Sequence, residues 1–329
     1  MQKYKRTAAT ILIFILCTVM PCQIVCAYKY TDKEVIETAQ YLLSKTPAPS
    51  VSSIGGEWAV IGIKRSKTSV LDSYFDNYLS RAAAKIDSGE GLGRKYTEYS
   101  RLAIALSALG ANAKDFGTSH TNLLDYINDY DNTVRQGING PIFALEAKKY
   151  CGDTDTEIRD KYISYIISKQ NPDGSFGLSQ DMSDTDITAM AISSLCLYID
   201  VNPVLEKVIN KAFLYLSSVQ QEDGGFYESI IDTEINCEST AQVIIAMKRF
   251  GLNNDNGFFT KNGNTPYDAL SKFRCSSGGY KHILSDAQEN QMSTEQALLA
   301  LTEASDKSRA LVYDSIWFNA NMKYLESIK

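Results

Sequence analysis

The sequence predicts an all-α fold in which six helical hairpins stack side by side and can close into a ring. Each hairpin puts an apolar helix inside and an amphipathic one outside. Three observations predict it. Helical periodicity recurs along the chain while strand-like alternation is scarce. A short apolar motif returns at intervals of 44, 41, 47, 52 and 54 residues. Gly-rich turns recur between the helical segments.

The inner helices carry the motif. Its copies open at Gly56 (GEWAVIGI), Ser100 (SRLAIALS), Pro141 (PIFALEAK), Thr188 (TAMAISSL), Thr240 (TAQVIIAM) and Thr294 (TEQALLAL). Three residues on stands a small or short side chain: Ala59, Ala103, Ala144, Ala191, Val243 or Ala297. Four residues on stands an aliphatic one: Val60, Ile104, Leu145, Ile192, Ile244 or Leu298. That placement marks one buried helix face, and small residues on it let helices approach closely. Ser and Thr starters suit a helix cap, and Pro suits a first turn.

Between these copies lie longer amphipathic segments at 32–45, 69–86, 121–132, 156–169, 203–219 and 265–273. Their polar faces carry Lys, Glu and Asp, as an outer, half-exposed helix requires. Three of them run into similar turns: QNPDGSFG (170–177), QQEDGGFYES (220–229) and CSSGGYKHI (275–283). Gly supplies positive φ after a helix, and the following Phe176, Phe226 or Tyr280 can fold back on its hairpin. The tail at 309–328 reads as one more helix packing on the outside.

The N-terminus reads as a secretory signal over residues 1–27. Lys3, Lys5 and Arg6 precede a short apolar run ended by Pro21, and Val25-Cys26-Ala27 suits cleavage before Tyr28. An apolar run of about ten residues is too short to span a bilayer. The expected mature chain, 28–329, is a single domain in a secreted or cell-surface protein, with no integral membrane segment. Removing three cations and no acid moves the net charge from -6 to -9. Such an acidic chain repels phosphate backbones, which argues against nucleic acid. Cys151, Cys196, Cys237 and Cys275 are far apart with no CxxC spacing, and read as free thiols with disulfides left open. The two histidines, His120 and His282, are distant in sequence, so no metal site is expected.

Gln, then a Gly-rich turn, then an aromatic, then an acid-x-Thr-Ala helix start resembles the prenyltransferase/squalene-cyclase repeat. The resemblance covers essentially the whole mature chain, with three specific copies from 163 to 301 and three degenerate ones before them. It implies an α/α toroid of the secreted bacterial type, related to the ring domain of cobalamin carriers. Squalene-type cyclases use Asp-x-Asp-Asp-Thr-Ala, whose middle aspartate protonates an alkene. The stretch DTDITA supplies Asp184 and Asp186, with Ile187 in the third acidic position. The cyclase reading therefore makes Asp184 and Asp186 catalytic, Asp186 as proton donor, but lacks one carboxylate and a rich aromatic lining. Of the zinc ligands of protein prenyltransferases only Cys237 is matched; Ile235 and Ser293 replace the aspartate and histidine. The Gly-Cys-Gly-Glu-Gln run of thioester domains is absent.

In such a ring the inner-helix starts face one end. Glu57, Glu98, Asp184, Asp186, Glu238 and Glu295 cluster at those starts, with Trp58 and Gln291. Acids there also satisfy free N–H groups and the helix dipole. Together they form a polar mouth, and Glu57, Trp58, Glu98, Glu238, Gln291 and Glu295 are its candidate ligand-binding residues. The leading expectation is a non-catalytic module that binds a small molecule or protein there. The alternatives are the cyclase and an α/α-toroid glycoside hydrolase with paired acids. No cofactor is expected, although the carrier resemblance admits a corrinoid as bound ligand and a separate β-domain as partner. A deep aromatic pocket above Asp186 would favour the cyclase, and a filled ring centre a scaffold.

Overall fold

A computed structural model describes residues 30–179, 182–252 and 257–305. The signal at 1–27 and the helix at 309–328, which carries Trp317, lie outside the described residues.

The apolar motif copies form α2 (Glu57–Arg65), α4 (Tyr96–Leu109), α7 (Asn139–Tyr150), α9 (Thr185–Leu195), α11 (Cys237–Phe250) and α13 (Gln291–Ser305). The amphipathic segments form α1 (Asp32–Lys45), α3 (Asp72–Asp87), α5 (Leu123–Ile127), α6 (Tyr130–Val134), α8 (Thr156–Ser168), α10 (Val204–Val219) and α12 (Pro266–Lys272). The segment expected as one helix at 121–132 is thus broken in two. Asn122 caps α5, and Asp129 leaves helical geometry to accept from the Asn132 N–H at the start of α6. Both side chains compete with continuous helix by bonding nearby backbone. A further departure from the expected helices is a short antiparallel ribbon pairing β1 (Phe226–Tyr227) with β2 (Ile235–Asn236).

The inner helices pack in chain order, α2 on α4, α4 on α7, α7 on α9, α9 on α11 and α11 on α13, and α13 also packs on α2. All the small and aliphatic motif residues from Ala59 to Leu298 are buried. The seam between first and last inner helices needs a glycine: a Cβ on Gly62 would stand 2.9 Å from Leu298 Cδ2. Outside, α1 packs on α2 and α13, α8 on α7, α10 on α9, and α12 on α11. The fold is therefore helical with an α/α toroid plan. Among the described residues no helix is long and apolar enough to cross a membrane. Cys151, Cys196, Cys237 and Cys275 are free thiols.

One device places three of the mouths. In each turn the aromatic residue's N–H donates to a threonine in the first turn of the following inner helix. Phe176 pairs with Thr188 (2.9 Å), Phe226 with Thr240 (3.2 Å) and Tyr280 with Thr294 (2.9 Å). Each threonine hydroxyl in turn donates to the carbonyl four residues back, Asp184, Asn236 or Asn290. The turns before them carry Gly174, Gly224 and Gly278, all near φ +90°. A Cβ there would stand 2.4 Å from Lys211 O, 2.3 Å from Thr265 O and 2.8 Å from Glu37 O, respectively. Gln170 and Gln220 bind each turn to the next outer segment, donating to Val208 O and Phe259 O.

Thr240→Val should lower stability by about 1–3 kcal/mol, since it strands the buried Phe226 N–H, whereas Thr240→Ser should keep most of it. Urea unfolding of the two variants checks this, and equal loss in both would exclude the hydroxyl as the cause.

Candidate functional site

The inner helices surround a lumen of about 550 Å³. Each contributes one stripe at helical spacing. The stripes are Trp58, Ile61, Arg65 from α2; Ile104, Ser107, Ala108 from α4; and Phe143, Glu146, Tyr150 from α7. Across from them stand Asp186, Met190, Ser193 from α9; Glu238, Gln242, Ile245, Arg249 from α11; and Met292, Gln296, Leu299, Glu303 from α13. Apart from Ile104, the motif residues at i+3 and i+4 are not part of the lumen wall, which is built from a second face of each helix. The centre is hollow, contrary to what a scaffold with a filled core requires.

The lumen has three zones. At the mouth, Asp186 and Glu238 sit in the first turns of α9 and α11. The turn residues Glu228 and His282 join them because each turn is tied to the preceding inner helix. Thr185 N–H donates to Glu228 O (2.8 Å) and Cys237 N–H to His282 O (2.9 Å). Half-way down, Trp58 and Phe143 approach with ring centroids 5.7 Å apart, making an aromatic wall beside the small residues of α4. Across the ring, Gln242 Nε2 donates to Gln296 Oε1 (2.6 Å). Ser193, 1% exposed, points a hydroxyl with no hydrogen-bond partner into the same belt. At the far end Arg249 Nη1 donates to Glu146 (2.6 Å) and its Nε to Glu303 (3.3 Å), while Arg65 Nη1 donates to Glu303 (2.9 Å).

The two mouth carboxyls have different surroundings. Asp186 Oδ1 is buried without a hydrogen-bond partner. Burial pushes its pKa up to about 7; the Ser239 hydroxyl opposes this, and Asp184, Glu228 and Glu238 add to it by like-charge repulsion. Glu238 instead accepts from Ser293 Oγ (2.6 Å) and lies 2.7 Å from His282 Nδ1. Burial works against the charge of His282, but the Glu238 hydrogen bond, Glu238 itself, Asp286 and Asp232 outweigh it and raise its pKa. The arrangement can thus hold a proton on Asp186 near neutrality beside the hydrogen-bonded Glu238 and His282.

The other sequence-predicted residues fall in different places. Asp184 caps α9: its Oδ1 accepts from the Ile187 N–H (2.9 Å), and burial first of all raises its pKa. Glu57 is fully buried behind the lumen wall, with Tyr78 OH donating to Oε1 (3.1 Å) and Arg101 Nε 3.5 Å from Oε2. Burial raises its pKa to about 7 against the pull of Arg101. Glu295 is also fully buried, accepting from Gly55 N–H (2.8 Å) and Gln291 Nε2 (3.1 Å); burial raises its pKa to about 7. Gln291 is spent on Glu295 and Thr46. Glu98 is half-buried in the first turn of α4 and is not part of the lumen wall. So the structure gathers Trp58, Asp186 and Glu238 in one cavity, while Glu57, Gln291 and Glu295 tie helix starts to neighbouring chain. The reason is direction: a first-turn side chain reaches the lumen or the seam according to its angle around the helix, not its height.

Sequence reasoning passed over Glu228, His282 and the Arg65–Glu303–Arg249–Glu146 chain. A signal existed for each. Glu228 and His282 both stand two residues after a turn aromatic. The far-end charges continue the lumen stripe from the mouth, as in Glu238, Gln242, Ile245, Arg249.

Residues 120–262 match the prenyltransferase alpha-alpha toroid domain family. Over that stretch the chain is similar to the prenyltransferase/terpenoid-cyclase toroid superfamily. No curated protein matches it by sequence. Among solved structures, an unsaturated glucuronyl hydrolase from Streptococcus agalactiae, complexed with dGlcA-GalNAc6S, is similar. It shares 12% identity at a TM-score of 0.55 over 83% of this chain and 90% of that one. A polysaccharide lyase shares 10% identity at a TM-score of 0.59 over 86% and 98%. At these identities the likeness is one of fold.

A carboxyl with a raised folded-state pKa keeps a proton that the unfolded chain has released. Its contribution favours folding fully below about pH 4 and is lost as pH rises through about 7. Asp186→Asn should therefore gain about 1–3 kcal/mol over the wild type at pH 8 relative to pH 4. Paired urea titrations at both pH values test this, and a pH-independent difference would remove Asp186 from its buried setting.

Proposed function

We propose that the chain is a carbohydrate-active toroid: a ring of six hairpins whose axial lumen takes a short saccharide and cleaves a glycosidic bond by acid–base catalysis. One observation carries it. A carboxyl poised to stay protonated near neutrality, Asp186, shares a cavity mouth with a hydrogen-bonded Glu238–His282 pair, above an aromatic wall facing a polar one. Paired carboxyls in unlike states are the requirement for general acid and base on a glycosidic bond. Trp58 and Phe143 offer a platform for the apolar face of a sugar, and Ser193 and the Gln242–Gln296 pair offer partners for its hydroxyls. The glucuronyl hydrolase and the polysaccharide lyase with this fold act on saccharides by name, which supports the substrate class.

In this reading Asp186 donates the proton to the leaving oxygen. Glu238, oriented by Ser293 and His282, takes one from the attacking water. His282 lines the mouth and hydrogen-bonds Glu238. The lumen offers cyclase chemistry few aromatics, Trp58, Phe143 and Tyr150, and Ile187 is buried where a third carboxylate would stand. Export through residues 1–27 completes the proposal and places the substrate outside the cell; N-terminal sequencing of the secreted protein tests it.

Hydrolysis is tested by incubating the mature protein with a panel of glycans and reading new ends by mass spectrometry. Asp186→Asn should lower turnover at least roughly 100-fold while saccharide affinity changes little. Unchanged turnover would exclude Asp186 as the acid, and binding without turnover in the wild type would leave a saccharide-binding module. Wild-type turnover should also fall above pH of about 7 as Asp186 loses its proton. Trp58→Ala should weaken binding by about tenfold, measured by calorimetry.

A further inference from the structure

The far end of the lumen carries a chain of charges whose role is not explained by packing. It runs from Arg65 on α2 to Glu303 on α13, to Arg249 on α11, to Glu146 on α7, so four of the six inner helices meet in it. Arg249, Glu146 and Glu303 are almost wholly buried, and the Arg65 side chain is 27% exposed. Burial works against the charge of Arg249, yet Glu146, Tyr150 and Glu303 hold it charged. Buried ion pairs of this kind stabilise little compared with apolar side chains of equal volume. Their sense is geometric. Arg65, Arg249 and Glu303 lie in the last turns of their helices and Glu146 one turn before the end of α7, away from the mouth, and their side chains link four inner helices.

We propose that this chain of charges is a floor that makes the lumen a blind pocket for the uncharged end of a saccharide. The inference rests on the saccharide reading and narrows its substrate class. Two features support it. First, the Arg249–Glu146 pair joins α11 to α7, the helices on either side of α9, so these side chains reach in front of α9 at the far end and narrow the path of a polymer that would thread through. Second, both arginines of the lumen wall are already met by carboxylates. Of the remaining charged groups of the wall, Glu228 at the mouth is acidic and Glu238 is met by His282. A terminal uronate would bring a negative charge past Glu228 to a floor with no unshared cation among the described residues. A neutral terminal residue meets hydroxyl and amide partners instead, from Ser193, Gln242 and Gln296. The pocket thus differs in charge preference from a site built to take a glucuronyl end.

The test compares three ligands by calorimetry on the mature protein. Two are trisaccharides identical except that the terminal residue is glucose in one and glucuronate in the other; the third is a cyclic glucan with no ends. The expected order is neutral trisaccharide tighter than its uronate twin by at least roughly tenfold, with no binding of the cyclic glucan. Equal affinity for the twins, or binding of the cyclic glucan as tight as the linear one, overturns this inference alone. Failure of every ligand to bind overturns the saccharide reading and this inference with it. Glu303→Gln keeps the floor's shape and frees a positive charge between Arg65 and Arg249. It should raise affinity for the uronate ligand roughly tenfold relative to the neutral one. An unchanged ratio in that variant overturns the floor assignment. Arg65→Met, which removes the more exposed cation instead, should leave the neutral ligand within about twofold of the wild type and weaken the uronate further; equal loss for both would also overturn it.

Discussion

The bond between a turn aromatic's N–H and a first-turn threonine hydroxyl sets the layout of this molecule's mouth. Thr188, Thr240 and Thr294 each satisfy a buried donor that the turn would otherwise strand, and each returns its own proton to the chain one turn back. An unmet buried donor is costly, so the start of each inner helix is held at one height against its turn. That height puts Asp186 and Glu238 in the same layer. It also lets the next turn reach back, through Glu228 O and His282 O, and bring two further polar side chains to the same mouth.

From that layer inward, the chemistry is a consequence of helix geometry. The small residue at i+3 and, Ile104 excepted, the aliphatic one at i+4 are buried away from the lumen wall. Close seams leave a hollow axis, and what faces it is the next stripe around each helix. The stripe grades from carboxyls at the mouth, through an aromatic wall facing amides and a serine, to alternating charges at the floor. Low dielectric along this axis explains why the same chemical group behaves differently over short distances. Asp186 lacks a donor to its Oδ1 and is pushed toward the neutral acid, whereas Glu238 has two hydrogen-bond partners, Ser293 and His282.

Glu57 and Glu295 show the cost of reading a site from helix starts alone. Both have the residue type, the position and even the raised pKa that a catalytic acid would show. Both are nevertheless sealed from solvent and bonded to neighbouring chain: Glu57 to Tyr78 beside Arg101, Glu295 to Gly55 and Gln291. Desolvation perturbs structural and functional acids alike. What separates Asp186 from them is the cavity beside it.

The sequence by itself determined the helical class, the alternation of inner and outer helices and most of their limits. Periodicity, capping residues and Gly-rich turns are local signals, read within one or two turns of chain. The break at Asn128-Asp129 inside the third outer segment was legible in principle, because Asn and Asp favour caps over helix interiors. Local pattern also marked Asp184 and Asp186 and placed Trp58 and Glu238 among the candidates. Only the tertiary structure decided which of the mouth acids share a cavity, that the inner helices leave that cavity between them, and that Arg65, Glu146, Arg249 and Glu303 meet at its far end. Those facts depend on the rotation of each helix about its own axis and on contacts between residues as many as 238 positions apart. No local pattern encodes either one. The packing of whole helices against each other sets both.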